Sequence, residues 1–114
     1  MRIKLSPQRR DDWLEISKLG KSLIINGEVF DFSPMNDGDT LPRNAISSIW
    51  FAGDVEMEAG DITLTILLPL PANYSQEQAF PVDLVDVKDG VVELPLPLEI
   101  VYSEFNIDEE EPTE

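Results

Sequence analysis

Hairpin signals predict a mostly β fold, a small antiparallel β-sandwich or partly open barrel with at most one or two short helical turns. Three observations carry that prediction. An Asn26-Gly27 turn joins two apolar runs, polar and apolar residues alternate strictly on both sides of Gly60, and two valine-rich segments flank Asp89-Gly90.

Taken in order, residues 2–5 read as a strand and residues 14–19 as another. Ser6-Pro7 also fits the start of a short helix running toward Trp13. The first hairpin follows, residues 22–25 and 28–32 joined by Asn26-Gly27. A type I′ turn needs φ > 0 at both central residues, and Asn-Gly tolerates that best. It sets Leu23 opposite Phe30 and Ile24 opposite Val29, so burial is expected on both faces of this sheet. Residues 33–42 carry turn chemistry and read as a loop. Residues 44–48 suit one helical turn before 49–53 return to the sheet.

The second hairpin joins residues 54–59 to 62–66 through a Gly60-Asp61 turn. That turn pairs Ala59 with Ile62, Met57 with Leu64 and Val55 with Ile66, with one face core and the other solvent. Residues 69–81 read as a long loop. The third hairpin pairs 83–87 with 91–94 around Lys88-Asp89-Gly90, which sets Asp86 opposite Glu93. Pro95 and Pro97 then end the folded part, because proline cannot donate to a ladder. The chain thus divides into a single β domain over 1–97 and an acidic tail over 98–114.

At 114 residues one core is all the chain can bury. There is no cysteine and no histidine, which removes disulfides, thiolate chemistry, Cys-type zinc sites and the usual general base. Eight basic residues face 23 acidic ones, a formal net charge of −15. The first 21 residues carry a balance of +3 and the remainder −18. Such a field repels nucleic acid and anionic membranes, and neither is expected as a partner. With no long apolar run, the sequence suggests a soluble protein, intracellular or carried on a particle made inside a cell.

The search for chemistry yields little. Carboxylate pairs are inevitable among 23 acids and carry no signal without a pocket. Asp37-Gly38-Asp39 lacks EF-hand spacing and reads as a polar turn. No nucleophile elbow and no phosphate-binding glycine loop is present. Trp13, Trp50 and the phenylalanines read as core rather than as a ligand site. The expectation is a binding protein, not an enzyme, with no metal and no cofactor. Within the tail, Tyr102, Phe105 and Ile107 stand out as apolar anchors beside Asp108, Glu109, Glu110 and Glu111. Together they are the candidate partner-binding residues of a linear segment. The plainer reading of that acidic run is a solvated, flexible terminus.

Several blocks have the look of a family: residues 1–12, Ile25-Asn26-Gly27-Glu28-Val29-Phe30-Asp31-Phe32-Ser33-Pro34, Gly38-Asp39-Thr40-Leu41-Pro42, Trp50-Phe51-Ala52-Gly53-Asp54-Val55-Glu56, and Leu64-Thr65-Ile66-Leu67-Leu68-Pro69. Over about residues 1–95 the chain resembles small prophage-encoded proteins found near genes for tail and tail-fibre components. The resemblance implies a shared β fold and a phage context, and it supplies no catalytic residue. It implies a tail component or an assembly factor that binds a phage tail or tail-fibre protein. Such a factor would work in the host bacterial cytoplasm during assembly or stay in the virion. Exposed strand edges also leave self-association open. The alternative reading of the charge is an acidic DNA mimic that blocks a host DNA-binding protein or nuclease.

Overall fold

A strand that alternates polar and apolar residues has one face to bury, so several such strands must close over one another in layers. The computed structural model describes residues 1–98. In chain order its elements are β1 (Arg2–Arg9), β2 (Ile16–Leu19), β3 (Ser22–Ile25), β4 (Glu28–Asp31), β5 (Thr40–Leu41), a 3₁₀ turn (Arg43–Ala45), β6 (Val55–Glu58), β7 (Asp61–Leu70), α1 (Gln76–Ala79) and β8 (Gly90–Val91). The strands form two four-stranded sheets, β1-β7-β6-β5 and β4-β3-β2-β8, in a small sandwich-like fold.

The buried faces meet in one core. Ile3, Val55, Met57, Ile62, Leu64 and Ile66 come from the first sheet, Ile16, Leu23 and Ile25 from the second. Phe51 joins them. Its backbone bridges Ile66, while its ring meets Phe30 and Phe32 edge-on at centroid distances of 5.0 and 6.1 Å. Edge-on packing sets the positive rim of one ring against the negative face of another.

The first hairpin has the expected register, Leu23 opposite Phe30 and Ile24 opposite Val29. Asn26 and Gly27 take φ of 50° and 87°, as a type I′ turn requires. Its outer face is barely covered, however, with Ile24 half-buried and Val29 62% exposed. Burial on the outer face is therefore partial and rests on Ile24.

The second hairpin turns one residue earlier than expected. Ala59 and Gly60 are the turn residues, at φ of 53° and 80°, and Met57 pairs with Ile62. The register moves by two residues, which keeps every side chain on its predicted face because the pleat repeats every two. Asp61, freed from the turn, forms an ion pair of 2.6 Å with the Met1 amine.

The third hairpin does not form. Leu84 exchanges backbone bonds with Ile3, at 2.8 and 2.9 Å, whereas the Gly90–Val91 strand pairs with β2. The two arms thus serve different sheets, and Asp86 is spared its place opposite Glu93. Lys18 Nζ and the Gly20 amide both donate to Asp89 Oδ1, at 2.7 and 3.0 Å, which fixes the crossing.

β1 is longer than expected and runs through Ser6-Pro7, so no helix starts there. It pairs with β7 in parallel, the one parallel ladder among the described strands. A parallel pair needs a long crossover, and here β2, β3 and β4 in the opposite sheet supply it. The bonds between Ile3 and Leu84 show that the Ile3 backbone faces away from β7. Every second residue along β1, Leu5, Pro7 and Arg9, shares that outward edge. Pro7 falls where its missing N–H interrupts no ladder.

Candidate functional site

The seven tail residues singled out from the sequence, Tyr102, Phe105, Ile107, Asp108, Glu109, Glu110 and Glu111, lie outside the described residues. The described residues offer a different surface, built where the chain returns after β7. Pro69 does not end that strand, which continues to Leu70, and the expected loop contains α1. Its capping box is reciprocal. The Gln78 amide donates to Ser75 Oγ at 3.2 Å, and the Ser75 amide donates to Gln78 Oε1 at 3.1 Å.

Ser75 and Gln78 are both buried because a further segment lies against them. Ser75 Oγ donates to the Leu96 carbonyl at 2.6 Å. The Leu98 amide donates to the Asn73 carbonyl at 2.9 Å, and Asn73 Nδ2 donates to the Leu98 carbonyl at 2.8 Å. At the other end of this strap the Arg2 guanidinium holds Asp83 at 2.9 Å. The strap of residues 82–98 thus crosses from β1 to β8 and closes that flank of the sandwich.

The strap is pinned by backbone bonds and buries Val92, with Leu84, Val87 and Leu94 partly buried against the core, while other apolar side chains on this flank face water. Phe80, Val82 and Leu96 are 76%, 78% and 77% exposed. With Leu84 and Pro95 they line a groove of about 460 Å³ rimmed by Glu77. Across Pro95 and Leu96 lies a second groove of about 350 Å³, lined by Trp13, Leu14, Leu68 and Pro97 among others. The two grooves share Pro95 and Leu96 and make one continuous apolar surface. Covering a Phe, Val or Leu completely returns about 1.5–3 kcal/mol, so such a patch favours a partner.

Trp13 and Phe80 were expected in the core and are not there. Trp13 is 66% exposed, whereas Trp50 is partly buried and Phe32 and Phe51 are buried. Flanking prolines do not mark this exposure, since Leu68 and Leu70 flank Pro69 and are buried in β7.

Three carboxylates, Asp31, Asp61 and Asp89, are tuned as structural acceptors. Asp61 titrates below the usual carboxylate range because the Met1 amine donates to it. Asp89 is lowered by the Lys18 ammonium and the Gly20 amide, and Asp31 by the Ser33 backbone amide and hydroxyl. A general acid needs the opposite, a raised value in an apolar pocket. Asp37 and Asp39 accept from the Gly60 and Asn36 amides, as members of a polar turn. Among the described residues no helix is long and apolar enough to cross a membrane. No family model, curated protein or solved structure matches the chain.

Proposed function

We propose that the protein is a non-enzymatic phage or prophage protein, a tail-associated component or a tail-fibre assembly factor, acting by protein–protein binding. The observation that carries the binding part is the apolar surface of Phe80, Val82, Leu84, Pro95 and Leu96, fixed in place yet uncovered among the described residues. The phage context rests on the residue blocks at 25–34, 50–56 and 64–69, which resemble those of prophage proteins near tail genes. An acidic chain with one apolar face stays dispersed by its charge and still has area to offer a tail polypeptide.

The test is a pull-down from a phage-producing lysate, with captured proteins identified by mass spectrometry. The intact chain is compared with Phe80→Asp and Leu96→Asp, both at exposed positions. Capture of a tail or fibre polypeptide by the intact chain, lost with either variant, is the expected result. Capture of a host DNA-binding protein that added salt releases would overturn it in favour of DNA mimicry. Equal capture by all three baits would move the contact away from this surface.

A further inference from the structure

The opposite flank has a different character. The sandwich ends there in β4 and β5, and a groove of about 310 Å³ between them is lined by Phe30, Phe32, Leu41, Ala45 and Ile46. β4 is the last strand of its sheet. Its hydrogen-bonding phase follows from its neighbours. The Asn26-Gly27 turn closes on the pair Ile25 and Glu28, and the Phe32 amide donates to the Lys21 carbonyl at 2.9 Å. The bonded pairs of β3 and β4 are therefore Ile25 with Glu28, Leu23 with Phe30, and Lys21 with Phe32. The amides and carbonyls of Val29 and Asp31 point outward, two donors and two acceptors that take no partner among the described residues.

Charge selects the occupant. Glu28 and Asp31 stand at the ends of β4 and Val29 and Phe30 between them. Asp31 Oδ1 accepts from the Ser33 amide at 3.0 Å and the Ser22 hydroxyl at 3.2 Å, so the charge is fixed in place. A second copy would bring its own formal net charge of −15 to this edge, whereas a cationic segment meets Glu28 and Asp31 with opposite charge.

We propose that the open edge of β4 is a strand-addition site for an extended segment of a partner protein, with two apolar residues between two cationic ones. In antiparallel pairing the cations oppose Asp31 and Glu28. The residue opposite Phe30 points toward the groove, and the one opposite Val29 lies on the outer face. This site is independent of the apolar surface on the other flank.

The probe is the blocked synthetic peptide Thr-Lys-Ile-Val-Lys-Thr, titrated into the full chain and followed by backbone amide NMR. Saturable shifts at Val29 and Asp31 are expected. Methylating the peptide's valine nitrogen, which faces Val29, should weaken binding about tenfold, as loss of a well-made hydrogen bond does. Methylating its isoleucine nitrogen, which faces away, should change affinity less than about twofold. Glu28→Lys in the protein should also weaken binding. No saturable binding up to millimolar peptide, equal loss from the two methylations, or shifts confined to Phe80–Leu96 each overturn the proposal.

Discussion

At the β1/β8 flank the strap of residues 82–98 lies across the opening of the sandwich and ties Ile3, Ile16 and Asn73 together through backbone bonds. At the β4/β5 flank no described residue takes up the outward amides and carbonyls of β4. The contrast separates two kinds of adhesion. Closing an edge with chain satisfies main-chain polar groups but turns part of the strap's own apolar side chains outward, Val82, Val85 and Leu96 among them. Leaving an edge open does the reverse, offering main-chain bonds with little apolar side-chain area.

The comparison breaks first at its common support. Phe51 touches aromatic rings of one sheet while bridging a strand of the other, so Phe51→Ala should cost about 3–5 kcal/mol in urea unfolding. A loss under about 1 kcal/mol would mean the sheets are held together elsewhere. The flanks themselves are separated by a pair of valines. Val92 is buried beside Ile16 on the strapped side, and Val92→Ala should cost roughly 2 kcal/mol. Val29→Ala, on the open side, should stay within about 0.5 kcal/mol. Amide exchange sharpens the same contrast, with Ile3, Leu84 and Val92 protected and Val29 and Asp31 exchanging freely.

Two smaller effects should leave both flanks standing. Ala59 occupies a left-handed turn position at φ 53°, where asparagine is better tolerated. Ala59→Asn should stabilise by about 0.5–1 kcal/mol without moving any amide on either flank. Asp89→Asn removes the acceptor that gathers Lys18 and the Gly20 amide at the strap's crossing. Because Asp89 titrates lower in the folded chain, its contribution is present above the ordinary value of 3.8 and is lost as pH falls through the lowered one. The variant should be slightly less stable than the parent at neutral pH, and the difference should vanish in strong acid.

Local pattern made much of the fold legible. Asn26-Gly27 gave the first hairpin its register, and alternation around Gly60 gave every face of the second even though its turn lies one residue away. Partners distant in sequence were not legible. The segments around Asp89-Gly90 carry hairpin chemistry, yet Leu84 finds Ile3 and Val91 finds Ser17, because each sheet still had an edge to fill. The parallel pairing of β1 with β7 depends on the whole intervening sheet and leaves no local mark. Ser75 and Gln78 did announce α1, at capping-box spacing inside a segment read as loop. The apolar surface was hidden for a simpler reason. Exposure of Phe80 or Trp13 depends on what packs over it, which periodicity does not encode.

The outward series on β1 has a consequence for assembly size. Of the four sheet edges, β5 and β8 are two residues long, and β1 is occupied at Ile3 and lacks a donor at Pro7. β1 keeps the outward main-chain groups of Leu5 and Arg9, so among the described strands β4 is the edge longer than two residues with neither an occupant nor a proline. A molecule with one reactive end terminates a growing ribbon rather than extending it. In polymer terms a segment added at β4, as proposed, would meet a chain stopper, and complexes through that edge should keep one-to-one stoichiometry at any concentration.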